Sequence, residues 1–344
     1  MPLAAKRVFR LALTVALALA GAYALALPLP FLAPLFALLL SATPAPPMGP
    51  KGLFAVILVV LITTGVGLLL IPLLQYYPLS ALLIVAAGLY FSTYLTVHMG
   101  KALLGTLLTI GFTLIAVAGT LDHGLAVAVI QALAIGIALA IVSQWLVYPW
   151  FPEDAVGSKP VKAPAQDTSH SNWIALRTTL IVLPAFVLAL TNPSSYLAVI
   201  MKSVSLGQQG SMLQARHAGL ELLGSTFLGG CFAVLFWFAL KLAPTLWMFF
   251  LWMALFGVYF AGKLYGVVVS RFPSSFWIGV FTTMLILLGP AVEDSANGKD
   301  VYMAFGFRLA LFVGVTLYAW MAIYLLELLR NRRLQRNMRL ESKC

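Results

Sequence analysis

The sequence predicts an all-α integral membrane protein of about 12 transmembrane helices, arranged as two parallel six-helix repeats. Three observations carry this. Hydrophobic residues make up 62% and charged residues only 9% of the 344 positions, whereas a soluble domain needs about 25% charge to solvate its surface. The mean hydropathy is +1.00. Apolar runs of membrane-spanning length recur along the chain, and they recur in the same order in both halves.

Candidate spans in the first half fall at about 9–27, 30–43, 52–74, 79–97, 101–120 and 125–148. Those of the second half fall at about 173–191, 194–206, 216–240, 245–262, 274–290 and 302–326. This divides the chain into a first repeat (1–150), a cytoplasmic linker (151–172), a second repeat (173–328) and a basic tail (329–344). The linker is rich in Pro, Gly and charge, the composition of a flexible connection. The halves match at an offset of about 167–170 residues: Arg10 with Arg177, Tyr90-Phe91 with Tyr259-Phe260, Lys101 with Arg271, and Ile110-Gly111 with Ile278-Gly279. The opening Lys6, Arg7 and Arg10 before an apolar run imitate a signal peptide. Because the Arg-plus-apolar pattern returns at Arg177, it is read as a retained first helix.

Orientation follows from Lys and Arg. With 12 crossings, of 21 basic residues only Lys241, Lys299 and Arg308 fall on one side; the rest gather on the other, with both termini. That asymmetry marks the cytoplasmic face. It explains the net charge of +11 without nucleic acid, which is not expected as a partner. The second segment of each half fits least well. Residues 31–43 are hemmed in by prolines, and 194–206 lie between Pro193 and Gly207-Gln-Gln-Gly210. Each is expected to be short or broken, with extended backbone completing the crossing. Backbone of that kind survives at membrane depth only inside protein or beside a wet cavity.

Interrupted segments at matching places in two repeats point to a transporter's binding site. Polar residues cluster there in the second half. Lys202, Gln208, Gln209 and Arg216 are candidates to receive an anion, with Arg177 and Arg308 as further contacts. Both of these arginines also lie where snorkelling to headgroups would suffice. Glu221 stands inside an apolar span, and His217 lies one helical turn earlier on the same face. The pair suits a coupling proton; the plainer reading is a static salt bridge with Arg216.

Gly257 to Lys263 has the spacing of a phosphate-binding loop, but Leu264 replaces the required Ser or Thr and the segment is a hydrophobic span. Cys231 and Cys344 form no metal or disulfide framework. Neither an enzyme nor a cofactor or metal site is expected. The Gly262–Gly266 pair allows close helix packing and a homo-oligomer.

The duplicated halves, the run Arg177 to Leu190 into Asn192-Pro193-Ser194-Ser195-Tyr196, and Gln214-Ala-Arg216-His217-Ala-Gly219 through Gly229-Gly230 resemble the fusaric-acid-resistance or aromatic acid exporter family of bacterial inner-membrane proteins. That resemblance implies a short, membrane-only branch exporting aromatic carboxylic or related acids. It also implies a periplasmic membrane-fusion adaptor and an outer-membrane channel as partners. The expected function is thus proton-coupled export of small organic anions across a bacterial inner membrane. A passive anion channel and a non-transporting scaffold docking through Arg330–Arg339 are the alternatives.

Overall fold

The computed structural model describes residues 2–153, 168–212, 215–296, 298 and 300–341. Among these every regular element is helical. The first six helices are α1 (Leu3–Ala24), α2 (Leu32–Ala42), α3 (Pro50–Tyr76), α4 (Pro78–His98), α5 (Ala102–Leu121) and α6 (His123–Val147). Six more follow: α7 (Thr168–Thr191), α8 (Pro193–Met212), α9 (Ala215–Leu242), α10 (Leu246–Leu264), α11 (Ser274–Ala296) and α12 (Val301–Glu341). Nine of these, all but α1, α2 and α8, are long and apolar enough to cross a bilayer. The chain is a multi-pass membrane protein.

Local sequence sets the helix boundaries. Pro50 and Pro78 open α3 and α4 at the position where a missing N–H costs nothing. Asp122 caps α6 by accepting from Leu125 N at 3.1 Å, and Thr245 caps α10 by accepting from Met248 N at 3.3 Å. The outward face of α3 carries Phe54, Leu58, Leu61, Ile62 and Leu69, while its inward face carries Thr63, Thr64 and Gly67. Large apolar groups outside and small or polar ones inside are the pattern of a helix solvated by lipid.

The helices alternate in direction, so the starts of odd helices and the ends of even ones share one end, which holds most of the basic residues. Arg7 on α1 meets Glu153 just after α6. Tyr265, after α10, donates to the Ser41 carbonyl at the end of α2 at 2.9 Å. Trp145 on α6 donates to the Met48 carbonyl before α3 at 2.6 Å. Ser275 on α11 reaches Glu221 on α9. Helices α2 and α8 therefore carry the chain from one end towards the other rather than turning back.

The two depart from expectation differently. Helix α2 has 11 residues, about 16 Å of rise. It is entered through a turn in which Ala26 and Leu29 take φ of 48° and 58°, a left-handed conformation costly for residues with a Cβ. It leaves through the extended, proline-rich segment after Thr43. Helix α8 is not broken: it runs for 20 residues through Gly207 and Gly210. A Cβ at Gly207 would come within 2.7 Å of Thr178 on α7, so this glycine serves helix contact rather than interruption.

Helix α1 packs along α10, α2 and α6, and Gly257 of α10 rests on Ala12, which a Cβ would approach at 3.0 Å. This accounts for the glycine that opens the phosphate-loop lookalike. Gly266 lies beyond α10 with φ 71°, so Gly262 and Gly266 do not form the helical packing pair expected of them. Helix α7 packs along α4 and α8, α3 against α5, and α9 against α11. Most of the apolar span of α11 is buried and most of that of α12 is exposed; α11 is central and α12 peripheral. Where α3 crosses α5, a π-helical turn spans Gly111–Ile115. Any Cβ at Gly67 would run into the Gly111 carbonyl, and one at Gly111 into that of Thr63. Replacing Gly67 by Ala is expected to destabilise the purified protein by about 1–3 kcal/mol, read as a lower thermal midpoint. Gly65→Ala, where the added carbon meets nothing within 4 Å, should leave the midpoint unchanged or slightly raised.

Candidate functional site

A cavity of about 80 Å³ lies where α2, α5, α8 and α11 meet. Leu35, Phe36 and Leu39 of α2 face Met201, Val204 and Ser205 of α8, with Thr106 and Ile110 of α5 and Ile278, Thr282 and Ile286 of α11 completing the wall. The short, proline-bounded α2 is thus one wall of an interior space. A second cavity of about 20 Å³ adjoins it through Thr106 and Val204 and leads towards the basic end. Its lining holds five threonines, at 93, 96, 106, 109 and 178.

Each of these hydroxyls donates to a backbone carbonyl: Thr93 to Leu89, Thr96 to Ser92, Thr106 to Ala102, Thr109 to Gly105, and Thr178 to Gly207. Ser92 and Thr109 also share a hydrogen bond of 2.8 Å. With donors spent on the backbone, the oxygens keep acceptor capacity. The passage is lined by methyl groups and hydrogen-bond acceptors.

Lys202 is fully buried, and its Nζ donates to Thr283 Oγ1 of α11 at 2.7 Å. Thr283 in turn donates to the Gly279 carbonyl. No carboxylate pairs with Lys202 among the described residues. Neither Lys202 nor Thr283 lines the cavity, although their chain neighbours Met201 and Thr282 do; the two side chains meet inside the contact of α8 with α11.

The other predicted residues are placed elsewhere. Glu221, half-buried at the basic end, accepts from Ser275 Oγ at 3.1 Å; it lies about two turns of α11 from Thr283, so Glu221 and Lys202 are not brought together. Arg177 is buried and pairs with Glu327 of α12 at 3.2 Å, which also accepts from Trp173 Nε1. Arg308 pairs with the buried Asp294 near the opposite end. The side chains of Gln208, Gln209, Arg216 and His217 lie outside the described residues.

Sequence reasoning missed the acids opposite these arginines, because it ended the last two spans at 290 and 326; Asp294 and Glu327 lie within α11 and α12. It also missed the threonine passage, whose signal is the i, i+3 spacing at 93/96 and 106/109 on two adjacent helices.

At the basic end Arg7 Nε and Arg10 Nη2 each approach Glu153 at 2.8 Å, and Arg10 also lies over the Tyr148 ring. Burial pushes the Glu153 carboxyl up, but hydrogen bonds and charge from the two arginines outweigh it and hold the group below its ordinary 4.5.

Fold and interior together define a class: a multi-pass helical membrane protein with a small apolar cavity enclosed by α2, α5, α8 and α11 and a threonine-lined cavity beside it. Residues 7–147 match the model of a family described as a protein of unknown function, DUF2955. No curated protein and no solved structure matches the chain. This corrects the resemblance to the fusaric-acid-resistance or aromatic acid exporter family. The motifs that suggested it, from Arg177 to Gly230, all lie outside the matched residues.

A carboxylate whose folded value is depressed stabilises above its unfolded value and loses that contribution as pH falls through the folded one. Glu153→Gln should therefore lower the thermal midpoint at pH 7 by about 1–3 °C, as befits a partly exposed ion cluster. The gap to wild type should close as pH drops below 4.5. A gap that persists unchanged at low pH would show that the clamp is not ionic.

Proposed function

We propose that the chain exports small organic acids across a bacterial inner membrane, coupled to protons, with its basic end and both termini in the cytoplasm. The observation that carries the reading is the interior cavity between α2, α5, α8 and α11, with a smaller threonine-lined cavity adjoining it on the side of the basic end. Its aliphatic lining and Phe36 suit an acid with an apolar or aromatic body. The positive-inside asymmetry supports the orientation. The adaptor and outer-membrane channel rested on the corrected resemblance alone and are not part of the proposal.

Packing supports the reading of the chain as two six-helix repeats. Helix α1 lies on α10 as α7 lies on α4, and α3 crosses α5 as α9 crosses α11. In each half an arginine of the first helix pairs with a glutamate late in that half, Arg10 with Glu153 just after α6 and Arg177 with Glu327 within α12. The cavity then sits between the halves, where alternating access is generated. Glu221, with His217, serves as the proton site at the basic end.

One observation favours a passive pathway instead: no residue lining either cavity titrates in the physiological range. Reconstituted vesicles loaded with radiolabelled benzoate discriminate the two. Coupled export predicts efflux that accelerates with an imposed proton gradient, and loss of that acceleration in Glu221→Gln with the protein still inserted. Gradient-driven efflux that survives intact in Glu221→Gln removes Glu221 from the mechanism. Wild-type efflux indifferent to the gradient establishes the passive reading.

A further inference from the structure

Two arginines at the basic end share one carboxylate. Arg7 on α1 meets Glu153 through Nε, and Arg10, a turn later, meets it through Nη2 at 2.8 Å. Two positive charges and one negative leave the cluster positive. Arg10 is only 6% exposed, and its other terminal nitrogen, Nη1, is buried with no hydrogen-bond partner among the described residues. The N–H groups on that nitrogen are withdrawn from bulk water and matched by no described protein atom, a condition that buried polar groups ordinarily avoid.

Arg10 itself lines a small cavity, about 10 Å³, where α1, the exit of α2 and α6 meet. Its other polar walls are Ser41 at the end of α2, Thr43 on the extended segment that follows, and Gln144 and Tyr148 of α6. Thr43 and Ala45 at the rim are exposed and Ser41 is buried, so the cavity runs inward from the surface of the basic end. Gln144 Nε2 donates to Ser41 Oγ at 2.9 Å, which leaves the Ser41 hydroxyl proton uncommitted. The hydroxyls of Thr43 and Tyr148 likewise donate to no described protein atom. This is the reverse of the five-threonine cavity, whose protons all go to backbone carbonyls. No carboxylate lines the space among the described residues. Free donors and excess positive charge together select an anion, and the volume admits one water-sized atom or ion. We propose that this cavity is a small-anion site, held by Arg10 Nη1 and the Ser41 hydroxyl, that takes one chloride ion or one oxygen of a phosphate reaching in from the rim. The bound charge neutralises the Arg7–Arg10–Glu153 cluster, which a water molecule in the same place would not. It also ties the end of α2 to α1 and α6; the middle of α2, Leu35, Phe36 and Leu39, walls the central cavity. The site is independent of what the chain transports.

The test follows the thermal midpoint of the full chain, delipidated in a phosphate-free maltoside detergent, as sodium chloride replaces sodium gluconate at constant ionic strength. Gluconate is too bulky for a cavity of this size, and constant ionic strength removes general screening. The wild-type midpoint should rise with chloride and continue to rise logarithmically once the site is filled, as for any ligand that binds only the folded state; bromide should act alike. Arg10→Lys keeps a positive charge opposite Glu153 but lacks the planar fork, and should show no such rise. Ser41→Ala should need about tenfold more chloride for the same rise, the loss of one charge-assisted hydrogen bond. The same titration in phosphatidylcholine nanodiscs separates the two sources of anion. A rise equal to that in detergent assigns the site to the free ion. A rise seen in detergent and absent in nanodiscs assigns it to a headgroup phosphate oxygen. A wild-type midpoint indifferent to chloride in detergent, or an unchanged rise in folded Arg10→Lys, overturns the proposal and leaves water as the partner of Nη1. Should Arg10→Lys not fold, an unaltered chloride response in Ser41→Ala overturns it equally.

Discussion

Inside an apolar slab a charge must be matched, and this requirement organises the chain. Arg10 is met by Glu153, Arg177 by Glu327 and Arg308 by Asp294. Two of the pairs join elements far apart in sequence, 150 residues in the case of Arg177 and Glu327, and the third ties the consecutive helices α11 and α12. The pairs lie towards the ends of the bundle, where partial hydration lowers the desolvation cost that makes buried ion pairs weak sources of net stability. Their more secure consequence is geometric: they fix which helix ends stand together. The middle of the bundle then holds hydroxyls, glycines and one lysine.

The same constraint governs uncharged polar groups. Thr63, Thr64, Thr113, Thr226 and Thr316 each return their hydroxyl proton to a carbonyl of their own helix, so they add little polarity that the interior must solvate. Helices can then approach closely at glycine, as at Gly67 against Gly111 and at Gly229, where an added Cβ would come within 2.7 Å of the Val280 carbonyl. Short α2 is tolerated for the same reason. Its own residues are mostly buried among α1, α6 and α11, although the proline-rich segment after Thr43 is exposed.

Much of this was legible in the sequence. Composition and apolar spacing gave twelve helical segments in order, since a lipid-facing helix cannot hide its hydropathy, but they ended α8 and α12 short, at 206 and 326 instead of Met212 and Glu341. Two kinds of error were physical in origin. Gly207 and Gly210 read as a break because glycine costs about 1 kcal/mol in a helix; tertiary contact with Thr178 overrides so small a preference. Asp294 and Glu327 read as loop because a hydropathy window ends at the first charge, and a pairing partner on another helix leaves no local trace. Lys202 was singled out from its polar neighbours, but its depth and its isolation from acids depend on the packing of α8 against α11. The threonine passage is likewise a property of four helices, not of any one segment.

Lys202 has no polar counterpart at the repeat offset read from the sequence. At offsets of 167 and 168 residues, Lys202 corresponds to Leu35 and Thr283 to Ile115, both apolar and buried. The difference sits on α2 and α8, while the crossings of α3 on α5 and of α9 on α11 are both extensive. Framework and chemistry are thus carried by different helices: the glycine-mediated crossings hold the bundle together, and α2 and α8, which contribute few of those crossings, are free to differ.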